Sequence, residues 1–205
     1  PVHPSQGHYE NTLANGIAWY YRNEATPFVF RAVNRLDRDT SGLVLLAKNP
    51  YSSCVLSDAV KDHTIHREYA AIVSGKTDAS GTIDLPIARK DGSTIERVCD
   101  PERGETAVTH YRTFAYNKDA DISFIRLLLE TGRTHQIRVH MAWIRHPIAG
   151  DPVYGIGKPE LGLHSQCLHA KELTFLHPRT GEEMTLSCPL PEEFENALKK
   201  LQRMM

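Results

Sequence analysis

The sequence predicts an α+β fold in which a mixed, largely antiparallel sheet is flanked by helices. Strand-length segments follow one another across short polar turns, as residues 106–116 and 122–130 do across 117–121. Helical periodicity is confined to a few stretches set among those strands. No βαβ unit recurs at a fixed period, which argues against a doubly wound parallel sheet.

Taken in order, residues 12–21 fit a short helix, and 34–42 (NRLDRDTSG) form a charged loop closed by glycine. The run LVLLA at 43–47 has the length and apolarity of a buried strand. Asn49 before Pro50 is a favourable helix start, an N-cap followed by proline at the first helical position, and the helix extends to about Lys61. EYAAIV at 68–73 is a strand that Ser74-Gly75 ends. Residues 76–105 are rich in Gly, Asp and Arg and predict one or two hairpins. After Thr131-Gly132 the period changes, and Ile137, Met141 and Ile144 share a helical face until His146-Pro147. GDPVYG at 150–155 is a loop, residues 173–176 and 184–186 frame a hairpin turn, and 192–201 form a last helix with Phe194, Leu198 and Leu201 on its apolar stripe.

Composition excludes several classes. No segment nears the roughly 18 apolar residues of a membrane span, so no membrane partner is expected. Cys54, Cys99, Cys167 and Cys188 show no CxxC spacing, which favours a reduced, cytoplasmic protein. The chain has 11 histidines but no HExxH or Cys/His quartet, and neither a P-loop nor a GxGxxG motif. No metal or nucleotide cofactor is expected. With 24 Lys+Arg against 25 Asp+Glu, the net charge is −1, so contact with nucleic acid would rest on local clusters such as Arg31, Arg35 and Arg38.

Two segments set charge against buried elements. In RLDRDTSG (35–42) a carboxylate sits at the mouth of an apolar run, a sound position for a nucleophile or base. The same residues read equally well as a surface turn whose polar side chains satisfy the backbone. In TGRTHQIRVH (131–140) a strand turns through glycine into a helix, so Arg133 and Thr134 stand near a helix N-terminus suited to phosphate. Most charged helix starts are only solvated faces, and the pattern alone favours that reading.

NRLDRDTSGLVLLAKN, REYAAIVSG and TGRTHQIRVHMAWIRHPIAGDPVYG, in that order, resemble the motifs of the RluA-type pseudouridine synthases. PVHPS, LHAKELTFLHPRTGE and CPLPEEF extend the resemblance over nearly the whole chain. Asn34 stands where that family usually has His, and neither the family's strand upstream of PVHPS nor an S4-type domain is present. The resemblance therefore implies an N-terminally truncated catalytic domain over 1–205. It implies isomerisation of uridine to pseudouridine in rRNA or tRNA, without metal or cofactor, by a cytoplasmic monomer. It makes Asp37 the catalytic aspartate, Tyr69 the ring that stacks on a flipped base, and Arg133 the basic partner of Asp37. Arg35, Arg38, Thr40, His135, Gln136 and Arg138 become candidate RNA contacts lining the cleft. The competing expectation is an RNA-binding or chaperone protein of the same fold that lacks catalysis.

Overall fold

A computed structural model describes residues 2–4, 9–23, 28–155, 163 and 165–203, without the side chains of 200–203. Pro1 and Ser5 of the PVHPS segment and the Leu201 side chain lie outside the described residues. The chain runs α1 (Leu13–Tyr20), β1 (Ser41–Gly42), α2 (Pro50–Lys61), β2 (His66–Ser74), β3 (Ser80–Asp84), β4 (Ile87–Arg89) and β5 (Arg97–Cys99). It continues β6 (Val108–Asn117), β7 (Ile122–Leu129), α3 (Gln136–Trp143), β8 (Leu168–Leu176), β9 (Glu183–Ser187) and α4 (Glu192–Arg203).

The main sheet has seven strands in the order β1-β8-β2-β7-β6-β3, with β9 paired to β8. β1 and β8 are parallel and the other pairs of this sheet antiparallel, as the turn-linked pattern implied. β4 and β5 form a separate hairpin. The helix starts follow local chemistry: Asn49 caps α2 by accepting from the Ser52 amide at 2.8 Å, and Thr12 and Asn15 form a capping box on α1.

Alternation along the central strand β2 sorts the core. Tyr69, Ala71 and Val73 pack with Ile137 and Met141 of α3, while Ala70 and Ile72 pack with Phe194 and Ala197 of α4 on the other face. The face that carries Tyr69 also carries Leu173 and Phe175 of β8, which pack against Leu56 of α2. Two helices, α2 and α3, thus cover different parts of one sheet face and leave a gap between them.

The run at 43–47 is not the buried strand its apolarity suggested. Only Ser41 and Gly42 pair with β8, and Leu43 to Leu46 are half-buried. The Asn34 amide competes for the backbone here, donating to Leu43 O at 3.3 Å and accepting from Leu45 N at 2.7 Å. The Val33 amide donates to Leu45 O and the Ala47 amide to Arg31 O, each at 2.9 Å, around a single antiparallel bridge between Ala32 and Leu46, so these groups are satisfied outside the main sheet. Gly42 is required by the contact with β8: its φ is +115°, and a side chain there would collide with the Ala170 backbone.

His140 of α3 is fully buried, with Nδ1 2.9 Å from Thr109 Oγ1 and Nε2 2.9 Å from Leu85 O. Burial pushes its imidazole below the usual value of 6.5, against the raising effects of Leu85 O and Asp84. The unfolded chain therefore binds a proton first as pH falls through that range, and folding stability declines with it. The urea midpoint should fall between about pH 8 and about pH 5. His140→Gln should reduce that slope without abolishing it, because His135 and His169 are shifted the same way by burial. An unchanged slope would show that His140 is not the sensitive group.

Candidate functional site

The gap between α2 and α3 is a cavity of about 570 Å³, with Val60 and Lys61 on one side, Ile137 and Arg138 on the other, and Arg67 and Tyr69 of β2 beneath. The charged loop before β1 brings Asn34, Arg35, Leu36, Asp37 and Thr40 to the same cavity. A turn fixes this loop: the Thr40 amide donates to Asp37 O at 3.1 Å, and Asp39 adopts a left-handed φ of 69°. The buried Gln166 side chain holds the turn from below through Arg38 O and Thr40 Oγ1.

Asp37 keeps 22% of its side chain exposed, and its Oδ2 lies 3.6 Å from Arg138 Nη1. Arg138 is itself buried and donates from Nε to Asp151 Oδ2 at 2.7 Å and from Nη2 to Asp151 Oδ1 at 2.8 Å. Asp151 also accepts from the Val153 and Tyr154 amides at 2.9 and 3.0 Å. Burial pushes the Asp151 carboxyl up, but the Arg138 hydrogen bonds and charge and these two amides bring it below the usual 3.8. Burial likewise opposes the charge on Arg138, and its two carboxylates outweigh that effect and raise it above the usual arginine value. The Tyr154 ring lies 5.1 Å from the Arg138 guanidinium, and its hydroxyl accepts from the Arg97 amide at 2.8 Å and meets His135 Nδ1 at 2.8 Å.

This geometry corrects one expectation and places two further residues. Arg133 is not in contact with Asp37: its Nε donates to Thr106 O at 2.9 Å and its Nη1 pairs with Glu105 at the protein surface. Arg138, expected as an RNA contact, is buried, with Nε and Nη2 on Asp151 and Nη1 facing Asp37. Gln136 is 3% exposed, and its amide is consumed within the fold. Its Oε1 accepts from Thr131 Oγ1 and the Arg133 amide, and its Nε2 donates to Val108 O and Thr109 Oγ1. The Arg133 amide is therefore already bonded, while Arg133 and Thr134 stand, as expected, just before the α3 N-terminus, whose N-cap is the left-handed His135.

Of the other expected residues, Tyr69 and Thr40 line the cavity, and burial pushes the Tyr69 hydroxyl above its usual value. His135 is half-buried against Tyr154, and burial lowers its imidazole. Arg38 is 81% exposed and pairs with neighbouring Asp39, away from the cavity lining. Arg35 donates to Thr134 Oγ1 at 2.6 Å at the rim. There a second cavity of about 350 Å³ opens, where Arg35 and Arg133 meet Arg89, Arg97 and Arg103 of the β4–β5 region. Nothing in the sequence spacing announced those three arginines or Asp151. Among the described residues, no group of three or more His, Cys, Asp or Glu is placed to hold a metal ion, and no helix is long and apolar enough to cross a membrane.

The chain matches the RNA pseudouridylate synthase family model over residues 1–143. It is 43% identical over 197 residues to the uncharacterized RNA pseudouridine synthase YjbO of Bacillus subtilis, covering 96% of this chain and 68% of that one. It is 38% identical over 218 residues to ribosomal large subunit pseudouridine synthase D of Zymomonas mobilis, covering 98% and 66%. Against the protein of that name from Escherichia coli K12 it is 39% identical over 205 residues, covering 94% and 62%. The chain thus spans about two thirds of the length of these relatives. The fold is also that of human RNA pseudouridylate synthase domain containing 4, with a TM-score of 0.76 at 23% identity over 98% of this chain and 87% of that one.

Removing Asp151 would leave Arg138 with a single, longer contact to Asp37 in a buried setting. Asp151→Ala should cost about 3–5 kcal/mol of unfolding free energy, the usual penalty for breaking a buried pair from one side. Urea denaturation measures this. A loss below about 1 kcal/mol would place the pair among exposed ones in its energetics.

Proposed function

The chain belongs to the RNA pseudouridylate synthase family, and on that premise we propose that it isomerises uridine in structured RNA with Asp37 as the reacting carboxylate. The observation that carries this reading is the placement of Asp37 on the wall of the 570 Å³ cavity, beside the buried Arg138 and above Tyr69. A stacked uridine cannot present its glycosidic bond to a carboxylate, so the nucleotide leaves the stack and enters the cavity. Tyr69 offers its ring to the flipped nucleotide. Asp37 then either attacks C1′ or removes the C2′ proton, the C1′–N1 bond breaks, the base turns, and C5 bonds to C1′ as Asp37 leaves C1′ or returns the proton to C2′, after which C5 loses a proton and N1 gains one. Arg138 aims the carboxylate and supplies its counter-charge, so it is a positioning residue.

At the mouth of the cavity, Arg35 and Arg133 share the rim with Arg89, Arg97, Arg103 and Glu105, a local excess of positive charge on a chain of net charge −1. We assign the RNA backbone to this rim. Ribosomal RNA in the cytoplasm is the favoured substrate, because two of the relatives above carry names of large-subunit rRNA synthases. One chain suffices, since carboxylate, counter-charge and stacking ring all lie on it.

Asp37→Asn keeps the shape of the side chain and should lower pseudouridine formation by at least about 10²-fold while RNA binding persists. Asp39→Asn, on the far side of the turn, should stay within about twofold of wild type, as surface changes worth roughly 0.5 kcal/mol do. Mass spectrometry of the RNA after single turnover decides. Retained activity in folded Asp37→Asn would reject the assignment. An Asp37→Asn protein that merely binds RNA as well as an equally inactive wild type would favour the chaperone reading.

A further inference from the structure

Arg67 is a buried guanidinium that has no ion-pair partner among the described residues. It is 8% exposed, and its Nε has no hydrogen-bond partner among the described residues. Burial pushes it below the usual arginine value, and only Tyr69 acts in the opposite direction. A buried ion in that state is strongly destabilising, so its retention calls for a reason outside the folded chain's own contacts. The packing makes room for it. Arg67 and Tyr69 are two residues apart on β2 and share one face of the sheet. A side chain at Gly132 would collide with Arg67 Nη1, so the guanidinium fills the space that glycine leaves. Both Arg67 and Tyr69 line the cavity with Asp37.

We propose that Arg67 receives the uracil ring and stabilises the negative charge it carries while detached from ribose. This rests on the synthase reading. When the C1′–N1 bond breaks, its electron pair stays with the base and spreads from N1 onto O2 and O4. Ribose is satisfied meanwhile by a bond from Asp37 to C1′ or by transfer of the C2′ proton to Asp37. The pair forms the new bond when C5 attacks C1′, as the Asp37–C1′ bond breaks and Asp37 leaves as carboxylate, or as Asp37 returns the proton to C2′; C5 then loses its proton and N1 gains one. A guanidinium that meets a neutral base before the reaction and an anionic one during it contributes more to the transition state than to binding. The base is chosen over a phosphate by depth. Phosphates stay on the RNA strand at the rim, where Arg35, Arg89 and Arg133 stand, whereas the base is the part of a flipped nucleotide that reaches the floor.

The test compares wild type, Arg67→Met and Arg67→Lys on uridine-containing RNA. Arg67→Met should lower the saturating single-turnover rate about 10²- to 10³-fold, the loss seen when a donor to a developing anion is removed. It should leave RNA affinity and its salt dependence unchanged and raise the Tm, because an unpaired buried charge is gone. Arg67→Lys should fall between the two in rate. A wild-type rate in Arg67→Met overturns the proposal, and a lowered Tm would make Arg67 structural. Weaker RNA binding, with a log–log salt slope shallower by about 0.7, would make Arg67 a phosphate contact instead. Absence of pseudouridine with wild type would bring down the synthase reading itself, and the inference with it.

Discussion

The Arg138 guanidinium sits between two carboxylates, and the geometry of the cavity follows from how it divides its donors. Two of them close a bidentate pair with Asp151, which is itself held by the amides of Val153 and Tyr154, leaving Nη1 toward Asp37. In a buried setting neither Arg138 nor Asp151 can lose its partner cheaply, so the fork is fixed before any ligand arrives. Tyr154 passes that rigidity on through its hydroxyl to His135 and to the backbone of β5. Asp37 is thereby aimed by a network that spans α3, the 150–155 turn and the β4–β5 hairpin, although its own loop has little secondary structure.

Around this network the molecule separates two electrostatic tasks. Deep in the gap between α2 and α3, few charged groups act at low dielectric, where each interaction is strong. At the rim, exposed arginines act through water and counterions, where single contacts are weak and their number matters. The sheet makes this division possible. Alternation on β2 sends Arg67 and Tyr69 to the cavity floor while Ala70 and Ile72 anchor the opposite face against α4.

Much of this was legible in the sequence where local chemistry decides. Asn49-Pro50 marked the start of α2, the turn at 117–121 joined β6 to β7, and the apolar triplet Ile137, Met141 and Ile144 located α3. The charged loop carrying Asp37 also stood out. Its ion partner did not, because Arg133 and Arg138 share one decapeptide and only the helix start decides which points inward. Beginning α3 at Gln136 turns Arg138 into the core and leaves Arg133 in the preceding turn. Asp151 hid in a loop-like GDPVYG, and the strand expected at 43–47 yielded to the Asn34 amide. Arg67 was within reach: strand periodicity places it on the face of Tyr69.

The most direct test of the Arg138 fork is the saturating single-turnover rate of Arg138→Lys beside that of Arg133→Lys, both measured well below their melting temperatures on uridine-containing RNA. Lysine is a point charge that cannot hold Asp151 in two places and reach Asp37 as well. Arg138→Lys should therefore lower the rate about 10²-fold, as a displacement of roughly 1 Å at a reacting group does. Arg133→Lys should keep the wild-type rate. The reverse pattern, a slow Arg133→Lys with Arg138→Lys intact, would contradict the role given to the fork.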